Sequence, residues 1–237
     1  MFKKSKKDRQ VIKFWIEDNF EHTVVPMPNP AHQDVPKWYK DLERYDGGKL
    51  LVRPDGSSNV RLKACASYLD PFLMGYMVKL HCDIFVEKNE NGTDMRWTSA
   101  LAPLSGRTID IASDLPEVAG YGMFTQAWEM RWAFTVPKGY SILVTQPFNR
   151  QDLPTFSTTG VIDADDLLGP GGVPFAIKKD FEGIIKAGTP ILQLIPFKRD
   201  SWDSEEVPSP FRSKDGRPRN VISGWYKDNI WKKKDFK

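Results

Sequence analysis

Three aspartates in the second half of the chain have the residue type and the spacing to do chemistry. Asp163, Asp165 and Asp166 directly follow the short apolar run 160–162 (GVI). In an extended segment the side chains of Asp163 and Asp165 project to the same side, roughly 6–7 Å apart. Carboxylates at this spacing suit a divalent cation, a shared hydrogen-bond network or a held water molecule. Aspartates also favour turns, because their side chains bond nearby backbone amides, so the cluster alone leaves a site and a turn open.

The histidines, cysteines and glycines exclude several common chemistries. No histidine follows His81, so His81 and Asp83 lack the distal histidine of a two-histidine, one-carboxylate iron site. A serine hydrolase triad in its usual downstream order fails for the same reason. Cys65 and Cys82 are seventeen residues apart and belong to no zinc-binding pattern. No Lys-Ser/Thr follows 169–172 (GPGG), so this loop is not a P-loop.

The elements that must position these residues are predicted to be mainly β-strands. Eighteen prolines and seventeen glycines separate short β-branched and aromatic runs, a pattern typical of many short strands. In 76–86 one alternate set of residues is nearly all apolar, as a half-buried strand requires. Strands are predicted over 11–16, 60–66, 76–86, 94–100, 106–111, 131–136, 140–146, 173–178, 181–185 and 191–199. Short helices are predicted from Pro36 to Tyr45 and over 224–235.

By composition the chain divides into three parts. Residues 1–50 are predicted to form an irregular N-terminal arm, 51–200 the β body and 201–237 a C-terminal extension. Residues 201–220 contain three prolines and many charges, which is typical of a linker.

Charge is distributed unevenly along the sequence. The formal net charge is +3, yet residues 1–10 carry +4 and residues 212–237 carry +6, which leaves −7 for the acidic body between them. This balance excludes a strongly basic chromatin-type protein and a highly charged disordered chain. No stretch approaches the ~18 apolar residues of a membrane span, so no membrane partner is expected. We expect a protein of the cytoplasm.

Three segments of residues 136–199 have distinctive patterns. Residues 136–140 read VPKGY, residues 160–165 read GVIDAD and are followed by Gly169, and residues 185–195 read IKAGTPILQLI. Through these segments residues 136–199 resemble the core of the dUTP pyrophosphatase and dCTP deaminase superfamily, whose corresponding motifs are a P-x-G-Y/F strand, a G-V-I-D-x-D hairpin and an I-x-x-G-D-R-I-A-Q-L-I strand. The matches stand in the family's order and at fitting separations.

This resemblance implies a fold, an assembly and a site. The fold is the β-clip, a distorted β-barrel, whose members commonly form trimers with active sites between subunits. Asp163 stands where the family's catalytic aspartate binds the deoxyribose 3′ hydroxyl and orients the attacking water. The candidate substrate-binding residues are Tyr140, Asn149, Arg150 and Gln193.

Departures from the family pattern count against its activity. The serine- and arginine-bearing phosphate motif is replaced by 146–150 (QPFNR), in which Arg150 is the only cation. Asp166 replaces the tyrosine that follows the second aspartate, and 211–237 lack a glycine-rich, arginine-bearing motif. The glutamate needed for deamination is absent from 170–178. Because charge-assisted contacts make triphosphate binding favourable, these changes favour the fold without the activity.

Short motifs spread along most of the chain form a second pattern. They are 28–31 (PNPA), 35–39 (VPKWY), 71–72 (PF), 75–76 (GY), 149–150 (NR) and 188–197 (GTPILQLIPF). Together they are similar to a protein family of tailed bacteriophages and some bacteria. This similarity implies a phage-type source and no particular activity, and with it a location in the host-cell cytoplasm or the virion.

Two functional hypotheses follow from the body of the chain. The first is a phage-type β-clip protein with a degenerate nucleotide site that acts in binding or assembly. Its expected partners are further copies of itself, with a trimer favoured, and a nucleotide or an acidic molecule. The second is a divergent pyrophosphatase of nucleoside triphosphates, with Asp163 as base, Asp165 and Asp166 as ligands of Mg²⁺, and Arg150 at phosphate. The sequence leaves open whether the chain is an enzyme.

A third hypothesis, single-stranded nucleic-acid binding, rests on the basic and aromatic C-terminus. Aromatic rings among cations can stack on bases while lysines meet phosphates. Alternatively, Trp225, Ile230 and Trp231 dock on the rest of the protein as an amphipathic helix, with the lysines solvated. The residues concerned are Arg217, Arg219, Trp225, Tyr226, Lys227, Trp231, Lys232, Lys233 and Lys234.

Overall fold

The computed structural model describes most of the chain. Within the described residues, no helix is long and apolar enough to cross a membrane. The described residues are 10–16, 19–54, 58–90, 92–166, 171–208, 226–227 and 230–237.

The chain folds into two compact units. The first comprises residues 1–30 and 75–199, and the second comprises residues 31–74 and 200–237. These limits differ from the predicted arm, body and extension, because residues 51–74 belong to the same unit as residues 31–50.

In its described residues, the first unit contains short antiparallel strands and two short helices, α1 (Asn19–Val24) and α4 (Ile109–Ser113). Thr108 caps α4 by accepting a hydrogen bond from the Ile111 amide at its hydroxyl. The strands are β1 (Lys13–Trp15), β2 (Asn29–Pro30), β3 (Tyr76–Lys79), β4 (Ile84–Asn89), β5 (Gly92–Trp97), β6 (Leu104–Gly106), β7 (Gln126–Glu129), β8 (Ala133–Thr135), β9 (Tyr140–Thr145), β10 (Thr155–Ser157), β11 (Gly160–Ile162), β12 (Gly172–Ile177), β13 (Gly183–Ile185) and β14 (Pro190–Lys198).

These strands pair into four antiparallel sheets. Along the sheets the strand orders are β11-β9-β14-β3-β2, β10-β12-β7-β6, β13-β4-β5 and β1-β8. β14 lies at the centre of the five-stranded sheet, between β9 and β3. The predicted mainly β fold is confirmed, and many short antiparallel strands are what a β-clip requires.

The core of the first unit is centred on a stacked aromatic pair. The rings of Trp128 and Phe175 lie 3.6 Å apart at an interplanar angle of 5°. Trp128 is fully buried, and its indole N–H donates to the Ser157 hydroxyl at 3.0 Å. Ser157 in turn donates to the carbonyl of Ile191 on β14 at 3.2 Å. This chain of bonds satisfies the buried indole and ties the four-stranded sheet to the five-stranded one.

The second unit combines short helices with longer irregular segments. In its described residues the helices are α2 (Lys37–Asp41) and α3 (Ala66–Leu73), with 3₁₀ turns over Ala31–Asp34 and Leu62–Ala64 and a helical turn at 226–227. The ring of Tyr39 packs on that of Phe72 with centroids 4.9 Å apart, and both residues are buried. This aromatic contact is the centre of the unit's core.

Four predicted elements are wrong in type or extent. Residues 60–66 form a 3₁₀ turn and the start of α3, and 106–111 hold the end of β6 and the start of α4. The predicted strand 76–86 is two strands, because β3 pairs with β14 and β4 pairs with β13 and β5 in another sheet. The predicted helix over 224–235 does not extend into 231–235, which are irregular.

Candidate functional site

Strand pairing brings the aspartate cluster to the start of β9. β11 pairs with β9 so that Ile162 lies opposite Ile142, which places Asp163 beside Ser141. On the other side of β9, the end of β14 pairs with its start, with Lys198 opposite Tyr140. Arg199, the next residue, therefore lies beside the aspartates.

Asp165 and Arg199 form the centre of this arrangement. The side chain of Asp165 is only 2% exposed. Arg199 donates from Nη1 to Oδ1 at 2.8 Å and from Nη2 to Oδ2, and the Gly139 amide donates to Oδ2 at 2.9 Å. These bonds, from Arg199 first and then from Gly139, hold the pKa of Asp165 far below its usual range. The same pairing raises the pKa of Arg199.

Asp163 lies on the open side of the same cluster, where its side chain is 67% exposed. Its Oδ1 accepts a hydrogen bond from the Ser141 hydroxyl at 2.6 Å and lies 3.2 Å from Nη1 of Arg199. The Ser141 bond and then the Arg199 charge lower the pKa of Asp163. Asp163 is therefore ionised at neutral pH and accessible to solvent.

The geometry explains what the acidic cluster does in the fold. Residues 164–166 form a turn in which the Asp166 amide donates to the Asp163 carbonyl at 3.2 Å. Arg199 supplies the positive charge that a cation would otherwise bring to Asp165. In the described part of the chain, no group of three or more His, Cys, Asp or Glu side chains could hold a metal ion. The predicted ligands Asp165 and Asp166 thus take part in a turn, and Asp165 in an ion pair.

Arg199 is the residue that the sequence analysis missed. It follows an apolar strand as one of two basic residues, 198–199 (KR), a pattern that also occurs at many strand ends. Its role depends on the register of β14 against β9, which no local pattern reveals.

Asn149 and Arg150 lie beyond the opposite end of β9, at an open pocket of about 320 Å³. Asn149 has a φ of +57°, in the left-handed region that asparagine tolerates better than most residues. The Arg150 side chain is 10% exposed and makes two parallel bonds to Asp152, from Nε and Nη2, each of 2.9 Å. The pocket lining is Tyr121, Thr145, Gln146, Pro147, Phe148, Asn149, Arg150, Gln151, Phe156 and Thr159.

Gln193 lies behind this pocket loop. It is completely buried on β14, and its Oε1 accepts a hydrogen bond from the Phe148 amide at 2.9 Å. Tyr140 lies at the other end of β9, where its carbonyl accepts from Arg199 at 3.1 Å. Of the four predicted substrate-binding residues, the structure therefore places two, Asn149 and Arg150, in the pocket lining.

Replacing Gln193 by leucine tests whether it supports the loop. The Phe148 amide would lose its acceptor, so we expect Gln193→Leu to reduce the free energy of unfolding by about 1–3 kcal/mol, measured by urea denaturation. Gln151→Leu is the matched control, because Gln151 is exposed in the same loop, and it should change stability by less than about 0.5 kcal/mol. Equal effects of the two changes would show that Gln193 does not hold the loop.

The two halves of the predicted nucleotide site are far apart within one chain. Asp163 lies beside the start of β9, and Arg150 follows its end. A strand of six residues spans roughly 17–20 Å. The structure does not bring Asp163 and Arg150 together in one copy.

The C-terminal aromatic and basic residues are partly held by the second unit. The indole N–H of Trp231 donates to Asp70 of α3 at 2.8 Å, and Lys234 pairs with the same carboxylate. Trp231 is half-buried, while Ile230 is 49% exposed. Trp231 thus docks on the unit, as the alternative to nucleic-acid binding expects, but it does so outside a helix. Arg217, Arg219 and Trp225 fall outside the described residues.

Comparison with known proteins gave likenesses to solved structures alone. No family model and no curated protein matches the chain. It is similar to a mutant dUTPase of Staphylococcus bacteriophage 80alpha, at 12% identity over 86% of this chain and 99% of that chain, with a TM-score of 0.34. Another mutant of that dUTPase, with dUpNHpp, is 12% identical over 84% of this chain and 97% of that chain, with a TM-score of 0.37. A mutant dUTPase of phage phi11 of S. aureus, described with a structural Mg(II) ion, is 13% identical over 57% of this chain and 84% of that chain, with a TM-score of 0.31. Each of these TM-scores is below 0.5, so the proposals that follow rest on the residues and contacts of this chain.

Proposed function

We propose that the chain is a binding or assembly protein of phage type, built on a β-clip with a degenerate nucleotide site. One observation carries this proposal: the buried carboxylate of Asp165 is already occupied by Arg199 and the Gly139 amide. A metal ion would have to displace a paired guanidinium from a buried site, which is costly. The proposal places the protein in the host-cell cytoplasm or the virion.

The phosphate side of the site supports the same proposal. Arg150 is the only cation in the loop that replaces the family's phosphate motif. It is engaged by Asp152 through two bonds and is nearly buried. A triphosphate would have to compete with this intramolecular carboxylate, so its charge-assisted contacts would yield little net affinity.

Assembly as a homo-oligomer, with a trimer favoured, agrees with the position of the two half-sites. Since Asp163 and Arg150 lie at opposite ends of β9, a combined surface would need residues from two copies. β11 lies at the edge of the five-stranded sheet, and its Val161 is 60% exposed. An edge strand with an exposed apolar side chain is suited to contact with another chain.

A second candidate function, a pyrophosphatase of nucleoside triphosphates with Mg²⁺ as cofactor, has one observation in its favour. Asp163 is 67% exposed, so its carboxylate is open to a water molecule, as a general base must be. Asp165 and Asp166 would then have to bind Mg²⁺ in an assembly that displaces Arg199.

A panel of nucleoside triphosphates with Mg²⁺ separates the two candidates. We expect no pyrophosphate release by the wild-type chain above the level of Asp163→Asn, because the cation and phosphate positions are occupied from within. The molar mass of the same samples, measured by light scattering, should be that of an oligomer. Turnover by the wild type that Asp163→Asn abolishes would replace our proposal with the pyrophosphatase.

A further inference from the structure

The second unit contains a pocket of about 500 Å³ that combines apolar and cationic side chains. This volume lies within the range of roughly 300–1,000 Å³ that proteins use for ligands. We call it the cationic pocket. Its lining is Val35, Tyr39, Lys40, Leu42, Arg44, Lys63, Leu69 and Lys227.

Part of the cationic pocket is held by contacts between its own residues. Tyr39 is only 3% exposed, and Lys63 lies over its ring with Nζ 5.6 Å from the centroid. Nζ of Lys63 also donates to the Tyr39 carbonyl at 3.1 Å. Lys40, Arg44 and Lys227 are exposed. A ligand that joins negative charge to an apolar or aromatic group would satisfy both halves of this lining.

The chain itself carries a segment of that chemistry. Residues 201–208 (SWDSEEVP), here the acidic segment, hold three carboxylates, one tryptophan and one valine, and all eight residues are exposed. Trp202 is 88% exposed and Val207 62%. Exposing so much apolar surface to water costs free energy, and exposed tryptophans are typical of residues that anchor an interface.

We propose that the acidic segment of one copy docks in the cationic pocket of a second copy. Trp202 would occupy the apolar part of the pocket, and Asp203, Glu205 and Glu206 would face its lysines and arginine. A contact between two different surfaces repeats from copy to copy and closes into a ring when the rotation allows. The inference rests on the proposed assembly role and names the contact that would carry it.

Peptide binding tests the contact directly. A labelled peptide of residues 201–208 should bind the full chain in fluorescence anisotropy, and binding should weaken as salt rises because exposed charges are screened. Replacing the tryptophan by alanine in the peptide should weaken binding at least about tenfold. Lys40→Glu combined with Arg44→Glu in the chain should do the same. Lys37→Glu is the matched control, because Lys37 is exposed on the same helix outside the pocket.

The mass of the full chain in solution distinguishes this inference from the proposed function. Trp202→Ala should shift light-scattering masses toward the monomer. Glu205→Lys with Glu206→Lys should do so too, and adding Lys40→Glu and Arg44→Glu should restore the assembly. An oligomer that Trp202→Ala leaves intact, or a peptide that fails to bind, would overturn this contact and leave assembly standing. A monomeric wild type would overturn the assembly role and, with it, the second copy as occupant.

Discussion

Arg199→Met should destabilise the protein strongly at neutral pH, because it leaves the carboxylate of Asp165 buried without its cation. Asp165 would keep backbone amides as its described donors, chiefly that of Gly139, and the aspartate turn would lose the residue that links it to β14. The Arg199 side chain is 37% exposed but that of Asp165 is only 2% exposed, and removing the cation from a buried carboxylate costs more than the pair itself contributes. Thermal unfolding followed by circular dichroism measures the loss.

The pH dependence of this variant identifies the cause. In the wild type, the pKa of Asp165 and of Asp163 is lowered, so both stabilise the fold above about pH 4 and lose that effect as the pH falls. In Arg199→Met, protonation instead removes a buried unpaired charge. The difference in melting temperature between wild type and variant should therefore shrink as the pH falls below about 4. Asp165→Asn added to Arg199→Met should recover part of the loss at neutral pH.

Arg96→Met is the matched control for this experiment. Arg96 on β5 pairs with Glu87 on β4, but the Arg96 side chain is 70% exposed and that of Glu87 is 55% exposed. Exposed ion pairs contribute about 0–1 kcal/mol, so the melting temperature should fall several times less than in Arg199→Met. A similar fall in both variants, or a difference that persists in acid, would contradict the role of Arg199.

Local patterns located two of the three strands around the candidate site. The predicted strands 140–146 and 191–199 correspond to β9 and β14, whereas 160–162, which form β11, were not among the predicted strands. The two strands that were found have apolar runs bounded by turn residues, and such a pattern can be read from each segment by itself. The mainly β fold could therefore be predicted from the sequence.

Features that depend on pairing could not be predicted in the same way. The alternation in 76–86 continues through residues 80–83, yet Leu80 exchanges hydrogen bonds with residues 188–189 while Asp83 accepts from the Ala187 amide. The chain bends between β3 and β4 because β3 belongs to the five-stranded sheet and β4 to the three-stranded sheet. The meeting of Asp165 with Arg199, and the separation of Asp163 from Arg150, likewise follow from register and from the length of β9.

Of the single methyl groups that could be added near the central strand β14, the one in Gly75→Ala should reduce the stability of the protein most. Gly75 has a φ of +69°, and a Cβ there would lie 2.0 Å from the carbonyl oxygen of Leu194. The backbone at Leu194 cannot retreat, because β14 is paired with β3 on one side and with β9 on the other. The strained φ and the clash together should cost about 2–5 kcal/mol, measured by urea denaturation.

Gly139→Ala separates the clash from the backbone strain. Gly139 has a similar φ of +83°, but nothing lies within 4 Å of a Cβ at that position. Alanine also retains the amide that donates to Asp165. The free energy of unfolding of this variant should therefore fall only by the roughly 1–2 kcal/mol that a side chain costs in the left-handed region. If both alanines cost the same, the approach of Gly75 to β14 is not what fixes the strand. If Gly75→Ala costs more, as expected, the register that brings Arg199 to the aspartates depends on a position where only glycine fits.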